Sequence, residues 1–197
     1  AYTIPIVFHI IHKSDGTGNI PDSRIYNQVD VLNEDFGAIA GSMGANGFDM
    51  KIQFELVGIT RTASYWWFHD YSERSYKRRL GWDPRRYLNV YVNSASGYLG
   101  YTYFPQDMAG NTRDGVVLNY AACGGRGEGS APYNQGRTLV HEIGHYLGLY
   151  HTFQDGCGNG YCAGDRIDDT NPESSAFYGC GSRSSCGSAD PTTNYMN

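Results

Sequence analysis

The distribution of apolar positions predicts five strands. Residues 4–11 form the most continuous apolar run, and their richness in Ile and Val is typical of a strand buried on both faces. Alternating or β-branched apolar residues predict four further strands, at residues 51–61, 87–92, 98–104 and 115–120. Glycine and aromatic residues within 98–104 favour the edge of a sheet for that segment.

Two segments repeat their apolar residues at helical spacing. Residues 23–36 carry such residues on one face, and Asp22 is expected to cap the N-terminus of this helix. The apolar face of this first helix comprises Ile25, Val29, Leu32 and Phe36. Residues 137–149 predict a second helix, with Leu139, Ile143 and Leu147 on its apolar face.

Regular patterns stop after residue 149. Residues 150–197 contain four of the five cysteines and many Gly and Ser residues, so they have little apolar material for a core of their own. We therefore expect a single domain with two lobes, residues 1–149 and 150–197, of which the second is irregular and held by disulfides. Disulfides are typical of secreted proteins, so the chain is predicted to be extracellular.

Charge and hydropathy restrict the partners of this chain. Its 197 residues include 15 Lys and Arg against 20 Asp and Glu, a formal net charge of −5. Nucleic acid is therefore not expected as the main partner, because phosphate binding requires a basic excess. No apolar run reaches the length of a membrane span. A basic stretch at residues 74–86 is interpreted as a solvated surface, with substrate steering as the alternative.

The most specific chemical signal is the sequence His-Glu-Ile-Gly-His-Tyr-Leu-Gly-Leu-Tyr-His, which begins at His141. His141 and His145 are four residues apart, so on a helix both imidazoles lie on one face and can bind the same metal ion. Gly148 suits a left-handed turn that ends the helix and returns the chain, so that His151 supplies a third ligand. Three histidines leave one coordination position open, which is typical of catalytic zinc.

Glu142 gives this site a candidate general base. It adjoins the first ligand, where its carboxylate can reach a water at the metal. Two alternatives are histidines buried for structural reasons and a zinc site that binds without catalysing. Structural histidines would require neither Glu142 nor Gly148, and a silent zinc site would not require Glu142. The remaining histidines that we interpret as structural are His9, His12 and His69.

The eleven-residue motif is that of the metzincin metallopeptidases, and other segments resemble the pappalysin family, in particular its ulilysin-like branch. Downstream, the resemblance lies in Leu-Tyr-His-Thr-Phe at 149–153, Gly-Asp-Arg-Ile-Asp-Asp-Thr at 164–170 and Asn-Tyr-Met at 194–196. Shorter upstream segments agree with it: Val-Leu-Asn at 31–33, Tyr-Leu-Asn-Val at 87–90, Leu-Gly-Tyr at 99–101 and Gly-Arg-Thr at 136–138. The resemblance spans nearly the whole chain. It implies an α+β zincin fold, with a twisted, mostly parallel five-stranded sheet, a backing helix and an active-site helix in the first lobe.

The same resemblance implies roles for individual residues. The edge strand would pair with an extended peptide substrate, and it comprises Leu99, Gly100, Tyr101, Thr102 and Tyr103. Met196 would be the Met-turn residue, which packs beneath the metal site without binding the ion. In the family, a tyrosine follows two residues after this methionine. Here that position lies past Asn197, so we expect the sequence to be incomplete at its C-terminus.

A second metal is implied for the acidic segment. The residues from Asp165 resemble a calcium loop of bacterial family members, with Asp165, Asp169, Thr170 and Glu173 as oxygen ligands. The family usually has proline directly after the Asp-Thr pair, whereas this chain has Asn171, which shifts Glu173 by one position. An ordinary polar loop between disulfides is an equally good interpretation.

Disulfide pairing is also implied by the family. Cys157 would pair with Cys186, and the partner of Cys180 would lie beyond the end of the chain. Cys123 and Cys162 have no counterpart in the family pattern, and a bridge between them would tie the two lobes together. Sequence alone equally allows the pairs Cys157–Cys162 and Cys180–Cys186.

Together these features predict a secreted, monomeric zinc endopeptidase that hydrolyses polypeptide substrates, with Glu142 as its general base. One alternative is an adhesion or binding module that holds zinc and calcium on the same fold without turnover. Another is an amidohydrolase acting on non-peptide amides. This second alternative fits less well, because a long edge strand suits an extended polypeptide.

Overall fold

A computed structural model describes residues 1–45, 47–158, 163–179 and 181–197 of the chain. It divides into two units, Ala1–Tyr146 and Leu147–Asn197. Across these described ranges, no helix is both long enough and apolar enough to cross a membrane.

A five-stranded sheet forms the centre of the first unit, as predicted. Its strands are β1 (Tyr2–His12), β2 (Ile52–Ala63), β3 (Leu88–Asn93), β4 (Gly100–Tyr101) and β5 (Val116–Asn119). The order across the sheet is β2-β1-β3-β5-β4, and β4 alone runs antiparallel to its neighbour. Strand β3 is buried along its whole length, which is typical of a parallel strand covered on both faces.

Among the described residues, five helices accompany the sheet: α1 (Asp22–Phe36), α2 (Tyr65–Phe68), α3 (Glu73–Leu80), α4 (Pro105–Met108) and α5 (Arg137–Tyr146). A short 3₁₀ turn spans Ala95–Gly97. The predicted apolar face of α1 is buried, and α1 packs against β2 and α5. The sequence did not predict α2 and α4, because a single helical turn shows no apolar periodicity.

The predicted cap of α1 is wrong. Pro21 occupies the cap position, and no side chain bonds to the free amides there. Asp22 is instead the first helical residue, and its carboxylate lies 2.6 Å from the guanidinium of Arg61 on β2. An acidic residue in the first turn is still favourable, because it faces the positive end of the helix dipole.

One residue of the basic stretch also departs from its predicted solvated position. Lys77 of α3 is completely buried, whereas the arginines beside it on the helix are exposed. Its ammonium group lies 2.9 Å from Oε1 of Glu73, and it donates to the carbonyl oxygens of Arg113 (2.9 Å) and Gly115 (3.0 Å). Burial of this cation is tolerated because a carboxylate and two carbonyls replace the water it loses.

Aromatic rings complete the surroundings of Lys77. Its Nζ lies 5.5 Å from the ring centre of Tyr91, 5.9 Å from that of Tyr101 and 5.3 Å from that of Tyr103. Such distances are typical of cation–π contacts. Because Tyr101 belongs to β4 and Tyr103 follows it, the buried cation links α3 to the edge of the sheet.

The second unit, Leu147–Asn197, has little regular structure. Among its described residues there is no helix or extended strand, and one antiparallel bridge joins Ser184 to Ala189. The predicted disulfide between Cys157 and Cys186 is confirmed, with a Cα–Cα distance of 5.2 Å. This disulfide joins residues 29 positions apart, in a segment that buries few apolar side chains.

The structure does not contain the predicted Cys123–Cys162 bridge. Cys123 follows β5 as a free, completely buried thiol in the core of the first unit. Burial raises the pKa of this thiol to about 12, so it stays protonated and behaves as a small apolar side chain. Cys162 and Cys180 lie outside the described residues.

The pairing of Glu73 with Lys77 predicts a large effect on stability. Glu73→Gln should lower the free energy of unfolding by about 3–5 kcal/mol, because it leaves a buried ammonium without its carboxylate. Urea unfolding at neutral pH measures this loss. Glu34→Gln is the matched control, since Glu34 pairs with the half-exposed Arg126 at 2.8 Å. That surface pair should contribute at most about 1 kcal/mol. Equal losses in the two variants would contradict the importance of the buried pair.

Candidate active site

Helix α5 presents a buried apolar face and a metal-binding face. Leu139 and Ile143 are completely buried, and the helix packs against β4, β5 and α1. His141 and His145 leave the helix one turn apart, as their spacing predicts. Their Nε2 atoms are 3.1 Å apart, and their rings meet edge to face with centres separated by 4.6 Å.

The chain leaves the helix at Tyr146, slightly earlier than predicted, and Gly148 has a φ of 101°. This left-handed conformation is the one expected of a glycine at the end of a helix. His151 follows it, with its ring stacked on that of Phe153 at 4.7 Å. The ligand nitrogens of His141, His145 and His151 all lie within 4.8 Å of one another. Within the described ranges, no other group of three His, Cys, Asp or Glu side chains lies so close together.

This donor set fits zinc. Imidazole nitrogens bind zinc at about 2.0–2.1 Å, so two of them on one tetrahedral ion are separated by roughly 3.3 Å. The separation of 3.1 Å between the two helical histidines is close to that value. Three nitrogen donors, with no fourth protein ligand among the described residues, correspond to a catalytic centre with an open position.

Phe104 restricts the second helical ligand. Its ring meets the ring of His145 edge to face, with the centres 5.5 Å apart and an interplanar angle of 78°. Phe104 lies between the edge strand β4 and helix α4, so the segment after β4 helps to orient a metal ligand. Contacts of this kind around a ligand are expected to fix the direction of its ring.

Glu142 lies directly beside the edge strand. Its side chain is 7% exposed, and its Cγ and Oε1 atoms adjoin Gly100 of β4. Burial raises the pKa of this carboxyl group to about 8. A divalent cation at the neighbouring histidines would act in the opposite direction and favour the carboxylate, because it stabilises nearby negative charge.

The predicted edge strand is present but shorter than expected. Residues 98–104 were expected to be extended, and β4 comprises only Gly100 and Tyr101, which pair with Leu118 and Val117 of β5. One further hydrogen bond, from the amide of Asn119 to the carbonyl of Leu99 at 2.9 Å, extends the pairing. In the described part of the chain, no strand pairs with the outer edge of β4. That edge therefore offers backbone groups to an added strand.

Residues that hold β4 in place were not identified from the sequence. Asp70 accepts a hydrogen bond from Tyr101 Oη at 2.9 Å and another from Tyr76 Oη at 2.6 Å. It has a φ of 62°, a conformation that aspartate tolerates better than most residues. No motif marks this position. The spacing of Glu73 and Lys77 is that of an ordinary helical ion pair, which does not by itself indicate burial.

Met196 is buried, with 5% exposure, near the end of the second unit. Its carbonyl oxygen accepts a hydrogen bond of 3.0 Å from the amide of Thr152, the residue after the third histidine. Its own amide donates to Oδ1 of Asn194 at 2.9 Å. The methionine turn is thus attached to the segment that carries His151, while its packing beneath the metal stays a prediction.

The acidic segment is only partly arranged as predicted. Asp165 is buried and accepts the amide of Ile167 at 3.0 Å, and Asp169 is exposed. Glu173 has other partners, because its carboxylate lies 3.0 Å from the guanidinium of Arg183. It also accepts the hydroxyl of Thr152. A guanidinium already balances the charge of Glu173, so its predicted role as a calcium ligand is not supported by its contacts.

Sequence comparison identifies known metalloproteases as relatives of this chain, in agreement with the histidine cluster. The sequence model of the Peptidase_M43 family, described as pregnancy-associated plasma protein-A, matches residues 70–197. Extracellular metalloprotease 1 of Coccidioides posadasii is 39% identical over 96% of this chain and 66% of its own length. An extracellular metalloprotease of Colletotrichum graminicola is 38% identical over 98% of this chain and 68% of its own. The chain thus spans about two thirds of the length of these relatives.

Solved structures that resemble this chain include those of mirolysin, from Tannerella forsythia. Mature mirolysin of Tannerella forsythia, in complex with a cleaved peptide, superposes with a TM-score of 0.81 and 33% identity. The match covers all of this chain and 83% of that one. A promirolysin mutant of the same organism has a TM-score of 0.80 and 31% identity, over all of this chain and 73% of its own.

The histidine cluster predicts metal content and metal-dependent stability. The protein should carry about one zinc ion per chain. Inductively coupled plasma mass spectrometry of the protein after gel filtration measures this content. His145→Ala should lose most of that zinc, and chelation should lower the melting temperature of the parent, because the ion binds the folded form. His12→Ala is the control, since the ring of His12 lies outside the cluster and its Nδ1 lies 2.8 Å from the carbonyl oxygen of Lys13. Full zinc content in His145→Ala would contradict this assignment.

Proposed function

Because this chain belongs to the Peptidase_M43 family, and is therefore a metalloprotease, we propose that it is a secreted zinc endopeptidase with Glu142 as its general base. The relatives that support secretion are named as extracellular enzymes, and the Cys157–Cys186 disulfide is typical of that environment. The proposed substrates are polypeptides, cleaved by a monomer.

The observation that carries the proposal is the position of Glu142, which adjoins His141 in α5 and whose side chain lies against Gly100 of β4. Zinc held by the three histidines would supply Lewis acidity, which polarises a peptide carbonyl and lowers the pKa of a water molecule. Glu142 takes the proton of the attacking water and passes it to the nitrogen of the leaving amine. Its buried position keeps the carboxylate from being solvated by bulk water.

Strand β4 supplies the second requirement, a binding site for an extended chain. Its outer edge offers backbone donors and acceptors, so a peptide can add as a further strand of the sheet. Because the side chain of Glu142 lies against Gly100 of β4, we expect a peptide added to this strand to lie close to the base. This arrangement favours peptide bonds in unfolded or extended segments over small amides.

Replacement of the base separates catalysis from binding. Glu142→Gln should lower kcat for a casein-derived fluorogenic peptide at least about a hundredfold, as expected for loss of general base catalysis. Zinc content should stay near that of the parent, because the three ligands are intact. Both quantities are measured on the same purified sample.

Glu55→Gln is the matched control, because Glu55 is an exposed carboxylate on β2. It should leave kcat within experimental error of the parent. Near-parent activity in Glu142→Gln would refute Glu142 as the base. A parent that binds zinc but cleaves no polypeptide would favour the binding-module alternative.

Calcium binding in the acidic segment is the less specific part of the proposal. The contacts of Glu173 reduce the proposed ligands to Asp165, Asp169 and Thr170 together with backbone carbonyls. A buried carboxylate at Asp165 and a polar loop without regular structure are compatible with an ion that orders the loop.

Calcium should raise the melting temperature of the zinc-loaded protein, because it would bind only the folded loop. Asp165→Asn should abolish this gain while keeping an oxygen for the amide of Ile167. Asp168→Asn is the control, since Asp168 is an exposed acid of the same loop. A melting temperature that does not respond to calcium would favour the interpretation as an ordinary polar loop.

A further inference from the structure

Gly100 of β4 faces the side chain of Glu142 at very short range. A methyl group built on Gly100 would lie 2.9 Å from Cγ and 3.2 Å from Oε1 of Glu142. It would also lie 3.1 Å from the carbonyl oxygen of Val117 on β5. Contacts below 3.0 Å are essentially absent for real Cβ atoms, so any side chain here would force a neighbouring group to move.

Backbone conformation does not explain this glycine. Gly100 is not among the residues with positive φ, so an alanine could adopt the same backbone angles without strain. What the position requires is therefore the absence of a side chain. In a strand, glycine usually marks a place where another group approaches closely, and here that group is a carboxylate.

The strand itself cannot easily move away from the helix. Gly100 pairs with Leu118, and the preceding carbonyl, of Leu99, accepts the amide of Asn119 at 2.9 Å. On the other side, Tyr101 is held by its hydroxyl, which lies 2.9 Å from a carboxylate oxygen of Asp70. Both neighbours of Gly100 are thus fixed to the sheet or to the loop behind it.

Helix α5 is fixed as well. Leu139 and Ile143, on its apolar face, are completely buried, and displacement of the helix would open the core. The group with the lowest cost of movement is the side chain of Glu142, which can rotate about its own torsions. A substituent on Gly100 would therefore displace the carboxylate rather than the strand or the helix.

We propose that Gly100 is a positioning residue for Glu142, and that the space left by its missing side chain sets the location of the carboxylate. This inference rests on the proposed function of Glu142 as general base. A displacement of about 1 Å in a reacting group lowers rates by up to about a hundredfold. Gly100→Ala should therefore lower kcat by about ten- to a hundredfold, with KM and zinc content near those of the parent.

Gly58→Ala is the matched control. Gly58 lies on β2, at the opposite edge of the same sheet, and also has no positive φ. A methyl group there would lie 2.8 Å from the ring of Trp82, a clash of the same size without contact to the catalytic residues. Gly58→Ala should keep the parent kcat even if it lowers the melting temperature. Equal losses of kcat in the two variants would overturn the proposal, because they would indicate a general effect on the sheet.

A double-mutant comparison distinguishes positioning from peptide binding. In a Glu142→Ala background no carboxylate is present, so Gly100→Ala should leave the affinity for an uncleaved fluorescent peptide unchanged. A tenfold or larger loss of affinity in that background would overturn the proposal, since Gly100 would then act through the substrate strand. Failure of the general base assignment is a separate outcome, because Glu142→Ala alone would then retain the parent rate.

A crystal structure of zinc-loaded Gly100→Ala gives a readout independent of activity. We expect the backbone of β4 and of α5 to superpose on the parent, with the Glu142 carboxylate rotated away from β4. An unchanged Glu142 with a displaced strand would contradict the proposal, as would parent-like kcat in Gly100→Ala.

Discussion

The register of helix α5 is the constraint on which the whole site depends. Successive residues of a helix differ by about 100° around its axis, so the burial of Leu139 and Ile143 also fixes the directions of His141 and His145. Glu142 lies between these two faces, buried and beside β4. A shift of one residue would place Glu142 and Tyr146, or Val140 and Gly144, at the positions of the two histidines. The packing energy of two aliphatic side chains therefore also orients the two histidines and Glu142.

An edge strand that is to accept a peptide, as proposed for β4, cannot be covered by a further strand of the sheet, so it has to be held from one side. In this chain β4 comprises only two residues, and side chains contribute the missing stability. Asp70 binds the hydroxyl of Tyr101, and the ammonium of Lys77 contacts the rings of Tyr101 and Tyr103. These contacts do not involve the outer edge of β4, with which no strand pairs in the described ranges, whereas the usual protection of an edge would cover it.

Sequence patterns predicted those parts of the structure that repeat or that have a fixed spacing. The five strands, the face of α1 and the His-Glu-x-x-His spacing follow from periods of two and 3.6 residues. The environment of Lys77 could not be predicted, because its partners are carbonyls and rings contributed by residues far away in the sequence. The contact of Glu173 with Arg183, at 3.0 Å, could not be predicted for the same reason, because only the fold brings the two side chains together. The capping role given to Asp22 failed because the helix begins one residue earlier than predicted, so that Pro21 occupies the cap position.

The glycine and the buried charges at β4 are two parts of one arrangement. A glycine within a strand gives up side-chain packing and costs conformational entropy, roughly 0.5–1 kcal/mol relative to alanine. Because β4 has only two residues, glycine is one of the two that must stabilise it. The anchored tyrosine that follows Gly100 offsets it, because its hydroxyl and ring are fixed by groups on α3 and the preceding loop. The sheet can therefore keep a residue without a side chain beside Glu142. A larger residue at this position would have occupied the space of the carboxylate.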